Sequence, residues 1–358
     1  MATRTAHPPT LADVAAHLGV SRTTVSNAYN RPDQLSPALR ERVLSAARDL
    51  GYTGPDPVAR SLRRGKAGSL GLVFDHRLRY IFDDPAAVLF LSGVAAGCEE
   101  QGTGLALVPQ LPEGAAELVR SALVDGYVMF CTPENDERLE AVRARGLPYV
   151  LVDFSPYVDG PRVNIDDLGG ARAVAQHLVD LGHRRFGLVV PYEDGATDAE
   201  TATEISDPTR TEDRTRWRCF IRHERLLGWR DPIVAAGIDW AGVPVGSSVD
   251  GDAESGYRAA APLLDRADRP TAIVCLSDVL ALGVMRAAQE RGIRVPQDLS
   301  VVGYDNIAAA GAAKLTTVHQ PHAAKGEEAV RLLTTGGDDD VVLPTNLVVR
   351  ASSGPAPS

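Results

Sequence analysis

The stretch TLADVAAHLGVSRTTVSNAYN, residues 10–30, has the pattern of two short helices joined by a tight turn. Thr10 followed by Asp13 has the form of a capping box, and apolar residues then recur at helical spacing. Gly19 can adopt the left-handed conformation that ends a helix, and Ser21 is a favourable N-cap for the next one. The stretch therefore predicts a helix-turn-helix.

Polar side chains of the predicted second helix are left on its outward side. Arginine, threonine, serine and asparagine are the donors and acceptors that read base edges in the major groove of DNA. A third amphipathic helix, capped by Ser36 and closed by Gly51, completes a small core. The candidate DNA contacts are Thr10, Ser21, Arg22, Thr23, Thr24, Ser26, Asn27 and Asn30. The alternative is a helical bundle whose polar face is merely solvated.

The segment GPDPVARSLRRGK, residues 54–66, comes after the third helix. Its two prolines interrupt that helix, and residues 58–64 supply barely two helical turns, which are marginal in water on their own. A short basic segment can fold on DNA and wedge an apolar side chain between base pairs in the minor groove. The candidate contacts are Ala59, Arg60, Leu62 and Arg63, with Leu62 as the wedge. The alternative is a plain interdomain linker.

Charge is distributed unevenly along the 358 residues, whose formal net charge is −10. Residues 1–66 hold ten lysines and arginines against five aspartates and glutamates, and the remainder holds 27 against 42. A basic head on an acidic body indicates a polyanionic partner for the head alone. The apolar runs are far shorter than the roughly 20 residues of a membrane helix, and no secretory signal precedes the head. We therefore expect a cytoplasmic protein without a membrane partner.

Beyond residue 68, segments typical of strands alternate with segments of helical periodicity, which predicts α/β architecture with parallel sheets. About ten strands are too many for one comfortable sheet, so we expect two subdomains that share a cleft. The predicted strands are Ser69–Phe74, Gly104–Val108, Gly126–Phe130, Tyr149–Asp153, Phe186–Val190, Val243–Val249, Ala272–Leu276 and Leu299–Tyr304.

The predicted domain division assigns residues 1–54 to the head, 55–67 to the linker and 68–358 to the body. Within the body, the first subdomain comprises about 68–167 plus 319–336, and the second about 168–318 plus 337–352.

Ligands of parallel sheets bind at the carboxyl ends of strands. There the sequence places Asp75, Asp153, Asp278 and Asp305. Carboxylates beside an arginine suit sugar hydroxyls or the polar edge of a heterocycle, and aromatic rings can stack on an apolar face. The candidate ligand contacts are Asp75, Tyr80, Phe82, Asp153, Arg225, Asp278 and Gln320. The alternative role for these aspartates is a helix N-cap, which is our interpretation for Asp305.

No pattern typical of a catalytic site is present in the sequence. There is no G-x-S-x-G elbow, no Walker phosphate loop and no G-x-G-x-x-G after a strand. The four cysteines lie far apart without CxxC spacing, which argues against a zinc site or a disulfide framework. We therefore expect no enzyme activity, no metal and no cofactor. The alternative is a cytoplasmic small-molecule-binding protein or α/β enzyme without a DNA role.

Several segments, spread from Thr10 to about Ser352, resemble the lactose-repressor/galactose-repressor (LacI–GalR) family of bacterial transcription regulators. They are residues 10–30 with the later LGY, VARSLRRG, HLVDLGHRRFGLV, SDVLALGVMRAAQERGIRVPQDLSVVGYDN and LTTVHQP. The resemblance implies a periplasmic-binding-protein-like body and a homodimeric repressor that binds a pseudopalindromic operator on the nucleoid. It also implies control by a small-molecule effector such as a sugar, with contacts at the positions of Asp153, Arg225 and Asp278.

Two features depart from the family pattern. The linker reads Tyr52-Thr-Gly-Pro-Asp-Pro where the usual pattern is Tyr-x-Pro-Asn. Residues 192–216 form an acidic, threonine-rich segment longer than the usual loop, which we expect to be a surface insertion near the cleft. No heptad repeat is found after Arg350, so we expect a dimer rather than a tetramer.

Overall fold

The structure is a computed structural model that describes residues 9–54, 65–75, 78–111, 113–133, 136–191, 220–248 and 251–357. The chain divides into two compact units, Met1–Gly68 and Ser69–Ser358, which we call the head and the body. The described helices are α1 (Leu11–Leu18), α2 (Arg22–Asn30), α3 (Pro37–Asp49), α4 (Tyr80–Asp83), α5 (Pro85–Glu100), α6 (Ala115–Ser121), α7 (Glu137–Ala144), α8 (Asp167–Asp180), α9 (Phe220–Ala235), α10 (Ala253–Leu264), α11 (Asp278–Glu290), α12 (Ala308–Ala312) and α13 (His322–Thr335).

The described strands are β1 (Ser69–Phe74), β2 (Gly104–Val108), β3 (Tyr127–Phe130), β4 (Tyr149–Val152), β5 (Arg162–Ile165), β6 (Phe186–Pro191), β7 (Val245–Ser248), β8 (Ala272–Cys275), β9 (Ser300–Val302), β10 (Thr317–His319), β11 (Asp340–Leu343) and β12 (Asn346–Val348). The predicted α/β body with parallel sheets and the all-α head are both confirmed.

The head begins with the predicted pair of helices. The Thr10 backbone N–H and hydroxyl both donate to Asp13 Oδ2 at 2.7 Å, which fixes the start of α1. Gly19 ends α1 with a φ of 64°, a conformation that costs glycine little. Ser21 Oγ then accepts from the Thr24 amide at 3.0 Å and starts α2. The helix-turn-helix predicted from residues 10–30 is therefore confirmed.

Small side chains let the three helices of the head pack closely. Ser36 Oγ accepts from the Leu39 amide at 3.3 Å and starts α3, with Pro37 in the first turn. The apolar core that α3 closes contains the buried side chains of Val14, Ala15, Val25, Ala28, Val43 and Ala47. Burying these faces against one another is what stabilises helices as short as α1 and α2.

The first lobe of the body is built on a six-stranded parallel sheet with the order β11-β5-β4-β3-β1-β2. Helices α5 and α13 cover one face around Phe90 and Leu333, and α6 and α7 cover the other around Val119 and Leu139. The second lobe is built on a four-stranded parallel sheet with the order β7-β6-β8-β9. Helices α8 and α9 cover one face of it, and α10 and α11 cover the other.

The chain crosses between the lobes three times within the described part of the body, and the last crossing differs from the prediction. Strand β11 pairs in parallel with β5, and Arg162 Nε donates to Asp340 Oδ1 at 2.7 Å across this pair. The assignment of residues 337–352 to the second subdomain is therefore wrong for β11. The final crossing lies between Leu343 and Asn346, where β12 pairs antiparallel with β10.

Candidate DNA-binding surface and ligand cleft

The first turn of α2 presents exposed polar side chains. Arg22 and Thr23 are solvent-exposed directly after the Ser21 cap. Ser21 and Thr24 are partly engaged with each other, because their hydroxyl oxygens lie 2.9 Å apart. The exposed turn therefore combines a long cationic side chain with the free end of a helix, where backbone N–H groups attract phosphate.

The later polar residues of α2 are less exposed than the sequence suggested. Asn27 Nδ2 donates to Gln34 Oε1 at 3.2 Å, and Asn30 Nδ2 donates to the Ser26 carbonyl at 3.1 Å. Ser26, Asn27 and Asn30 are each half-buried. The expectation that Asn30 faces outward is wrong, since its amide folds back onto its own helix. The linker candidates Ala59, Arg60, Leu62 and Arg63 lie outside the described residues, as do residues 192–216.

In the body, a buried chain of polar contacts connects the two lobes. It starts at Asp153, directly after β4, where Lys325 Nζ donates to Asp153 Oδ2 at 2.5 Å. Lys325 Nζ also lies 3.3 Å from Gln320 Oε1, and Gln320 Nε2 donates to Asp305 Oδ1 at 2.6 Å. Asp305 lies just after β9 of the second lobe, so the chain of contacts runs from one sheet to the other. We call the region around this chain of contacts the cleft. It comprises Asp153, Lys325, Gln320 and Asp305, together with Asp167, Arg225, Asp278 and His322.

Arg225 holds the second-lobe side of the cleft. Its Nε donates to Asp167 Oδ1 at 2.8 Å, its Nη1 donates to the Leu276 carbonyl at 2.7 Å, and its guanidinium lies 3.6 Å above the Tyr304 ring. Arg225 Nη1 is also 3.8 Å from Asp305 Oδ1. The residue lies on the buried face of α9 rather than at its start. Arg225 was predicted to lie beside the carboxylates, and the structure brings them together.

Asp278 lies at the edge of the cleft and is fully buried. Its Oδ2 accepts from the Ile307 amide at 2.9 Å, and its Oδ1 accepts from the Thr317 hydroxyl at 2.5 Å. The residue does not cap α11, because Ser277 Oγ accepts the capping bond from Leu280. Asp305 does not cap a helix either, since Ile307 is the N-cap residue of α12. The N-cap interpretation of Asp305 is therefore wrong.

Two buried polar atoms of the cleft have no hydrogen-bond partner among the described residues. They are Asp153 Oδ1 and His322 Nε2. A buried acceptor without a partner costs about 1–3 kcal/mol unless a ligand or water satisfies it. Such atoms in a cleft between lobes are therefore candidate contacts for a small molecule that brings its own donors.

Burial governs the protonation of the cleft. It raises the pKa of Asp167 to about 6, although the Arg225 guanidinium opposes this, and it raises the pKa of Asp278 to about 6 despite the Thr317 hydroxyl bond. Burial also raises the pKa of Asp305 well above its usual range, against the pull of Arg225. Burial together with the positive charges of Lys325 and Arg225 lowers the pKa of His322 to about 3, so that imidazole is neutral.

The remaining ligand candidates lie on the first-lobe side. Asp75 Oδ1 is 3.5 Å from Nη2 of the fully buried Arg138. Tyr80 is half-buried, its pKa is raised by burial and by the nearby Asp84 carboxylate, and its hydroxyl faces Gly251 of the second lobe. Phe82 is 57% exposed, so in this conformation its ring faces solvent rather than the cleft.

Four cleft residues were missed as ligand candidates: Lys325, Asp167, Asp305 and His322. Lys325 had a recognisable signal, because it falls at helical spacing with Ala329 on the buried face of α13. A lysine on an apolar face needs a buried counter-charge. That counter-charge, Asp153, lies 172 positions away in sequence, and only the fold shows the pairing.

Two other kinds of feature are absent from the described part of the chain. No group of three or more His, Cys, Asp or Glu side chains within the described ranges is placed to hold a metal ion. No described helix is both long and apolar enough to cross a lipid bilayer.

A helix-turn-helix head joined to a two-lobed α/β body with a polar cleft defines a DNA-binding transcriptional regulator controlled by a small molecule. Residues 10–54 match the bacterial regulatory proteins of the lacI family, and residues 175–353 match the periplasmic binding protein-like domain. An HTH-type transcriptional regulator of Mycolicibacterium smegmatis is 42% identical over 371 residues, which cover 98% of this chain and 99% of the relative. The chain belongs to the LacI family of bacterial transcriptional regulators.

Two solved structures show the same architecture. The lac repressor dimer bound to operator and the anti-inducer ONPF matches with a TM-score of 0.75 at 25% identity. The match covers 97% of this chain and 100% of that one. The regulator CelR in complex with cellobiose matches with a TM-score of 0.68 at 30% identity, covering 96% of this chain and 99% of that one.

Proposed function

We propose that this chain is a repressor that binds a pseudopalindromic operator as a homodimer and is controlled by an effector in the cleft of its body. The observation that carries effector control is the buried polar chain from Asp153 to Asp305, which joins the two lobes and leaves Asp153 Oδ1 and His322 Nε2 unbonded. A ligand that satisfies these atoms changes the contacts between the lobes, which is what a small-molecule switch requires.

In the head, Arg22 and Thr23 are the side chains best placed to read bases, because both are exposed in the first turn of α2. Ser21 and Thr24 shape that turn, and Thr10 fixes the start of α1. Asn27 is tethered to Gln34, so we assign it a secondary role. Ala59, Arg60, Leu62 and Arg63 remain the minor-groove candidates.

The charge of the cleft indicates the class of effector. Five acidic side chains, Asp84, Asp153, Asp167, Asp278 and Asp305, lie near the cations of Arg225, Lys325 and Arg350. Burial raises the pKa of Asp84, Asp167, Asp278 and Asp305, so negative charge is already disfavoured there. An additional anionic group buried there would be strongly disfavoured. A neutral compound with several hydroxyl donors fits, and the cellobiose complex of CelR supports a sugar or related polyol. Asp75, Tyr80, Phe82, Asp153, Arg225, Asp278 and Gln320 remain the candidate contacts.

The function is non-catalytic and belongs in the cytoplasm on the nucleoid, where operator DNA is found. Relatives that match nearly the whole chain are named HTH-type transcriptional regulators. A small-molecule-binding protein without a DNA role would not need the exposed basic turn of α2.

The test begins with selection of an operator from a random duplex pool by the full-length protein, and fluorescence anisotropy then measures affinity. We expect an inverted-repeat consensus, and we expect one of a panel of neutral sugars and polyols both to raise the melting temperature and to shift operator affinity. Arg22→Ala should lose base preference, whereas the matched surface change Arg42→Ala on α3 should not. Failure to enrich any sequence would contradict the DNA role.

A further inference from the structure

The surroundings of Lys325 Nζ are those of an ammonium-binding site. On one side, Asp153 Oδ2 accepts from it at 2.5 Å. On the other, the rings of Phe130 and Phe90 have centroids 5.5 and 5.9 Å from the nitrogen, and these two rings stack at 4.0 Å. A carboxylate combined with aromatic faces is the arrangement by which proteins bind the ammonium group of a ligand. Here the chain's own lysine occupies it.

Helix packing holds the lysine stem in this place. Gly93 of α5 and Gly326 of α13 allow the two helices to touch: an added Cβ on Gly93 would lie 1.9 Å from the Ala323 carbonyl oxygen, and one on Gly326 would lie 2.5 Å from the Phe90 carbonyl oxygen. Lys325 is therefore only 2% exposed, although its ammonium belongs to the cleft. The side chain enters the cleft from a rigid wall rather than from a mobile loop.

The hydrogen bonds of this pair do not use all of its donors and acceptors. An ammonium group has three N–H donors, and two of them point to Asp153 and Gln320. Asp153 Oδ1 has no partner among the described residues. One donor and one acceptor thus lie side by side, which matches a hydroxyl group or a pair of neighbouring hydroxyl groups.

We propose that Lys325 is a tethered counter-ion of the effector cleft: it takes the place of a ligand ammonium beside Asp153, so that the cleft selects uncharged polyhydroxy effectors and rejects cationic ones. The inference rests on the proposed function, because it requires the cleft to be the effector site. It makes Lys325 the residue that determines the charge selectivity of the cleft. If the lysine were removed, the site would accept a free ammonium ion instead.

The test removes the lysine side chain, or its ammonium group, by mutation and supplies the missing part as a free cation. Lys325→Ala removes three methylene groups and the ammonium, which propylammonium can restore. Lys325→Met keeps a side chain of similar length, with sulfur in place of Cδ, and removes the nitrogen, which an ammonium ion can restore. For full-length variants, we expect propylammonium chloride and ammonium chloride, respectively, to raise the melting temperature saturably above equimolar sodium chloride. We further expect each cation to shift the affinity for the selected operator by about fivefold or more.

Three controls separate the outcomes. The wild-type chain and Lys314→Ala, a change at an exposed lysine of the body, should show no response beyond that to sodium chloride. Asp153→Asn combined with Lys325→Ala should abolish the response, because no carboxylate remains to hold the cation. The proposal is overturned if neither variant responds in melting, or if melting responds while operator affinity stays constant, which would make the pair purely structural. Loss of operator binding by the wild-type chain would instead count against the proposed function.

Discussion

His322 is a neutral imidazole within a cluster of charges. Its pKa is lowered to about 3 by burial and by Lys325 and Arg225, whereas an unfolded histidine titrates near 6.5. As pH falls below about 6.5, the unfolded chain binds a proton that the native chain does not bind, so His322 makes the folded state less stable in acid. Asp167 and Asp278 act in the opposite direction, because their raised pKa values let the native state keep protons up to about pH 6.

We predict that His322→Gln removes the part of the acid-induced loss of stability that comes from this histidine. Between about pH 7 and about pH 5, the wild-type chain should lose about 2 kcal/mol of unfolding free energy relative to the variant. Urea unfolding of both proteins at each pH measures this difference, and the opposing aspartates largely cancel because they are present in both. Parallel pH profiles for the two proteins would show that His322 binds its proton over the same pH range in the native and unfolded states, and would contradict the prediction.

Asp278 gives a second prediction at the scale of one residue. Asp278→Ala would leave the Ile307 amide and the Thr317 hydroxyl buried without an acceptor, and should cost about 2–4 kcal/mol. Asp278→Asn keeps one acceptor oxygen and should cost less. Ser277→Ala, which removes only the helix cap, should cost about 1 kcal/mol. Denaturant midpoints for the three variants give the order, and a larger loss for Ser277→Ala than for Asp278→Ala would contradict it.

The sequence allowed part of the cleft to be predicted, because some of its residues are recognisable from their immediate sequence neighbours. Asp153, Asp278 and Arg225 carry chemistry that stands out at strand ends or within a motif. Lys325 and Asp305 were missed because their roles depend on partners far away in sequence, such as Asp153 for Lys325. Asp305 precedes a short helix, which resembles a capping position, and only the Gln320 amide 2.6 Å away shows its connection to the cleft.

At the scale of elements, the contact between α5 and α13 is closer than the sequence reveals. Gly93→Ala should push the helices apart, because its Cβ would lie 1.9 Å from the Ala323 carbonyl oxygen, and we expect a loss of about 1–3 kcal/mol. The control is Gly311→Ala in α12, where an added Cβ meets nothing within 4 Å. That change should stay within about 0.5 kcal/mol of wild type. Equal urea midpoints for the two variants would show that α5 and α13 move apart at little cost in stability.

Strands were predicted where a continuous apolar run made them visible. The eight predicted strands all occur, each within two residues of its predicted ends. Strand β11 begins in an acidic segment and was missed, because its partners are far away in sequence: Val341 and Leu343 pack against the core of the first lobe, and Asp340 pairs with Arg162. Strands β10 and β12 are only three residues long, and each is identified by its partner rather than by its own sequence.

At the scale of the whole molecule, the uneven charge determines which part of the chain attracts DNA. Residues 1–66 are basic while the rest of the chain is acidic, so the body repels the DNA phosphates and only the head and linker attract them. Attraction by phosphate contacts does not depend on base sequence, and it weakens steeply with salt. Specific binding therefore requires further contacts, with bases in the major groove and with a deformed step in the minor groove.

Leu62 allows these two contributions to be separated. Leu62→Ala would remove the predicted minor-groove wedge while leaving Arg60, Arg63, Arg64 and Lys66 in place. We expect affinity for the selected operator to fall by about 2–4 kcal/mol, and affinity for random duplex DNA, with its salt dependence, to stay nearly unchanged. Anisotropy titrations of both duplexes over a series of salt concentrations measure the two affinities. Arg64→Ala is the matched control, and it should weaken both duplexes alike and reduce the salt slope by about one. If Leu62→Ala also weakened both duplexes equally, residues 54–66 would be a tether and the specificity of the protein would come from α2 alone.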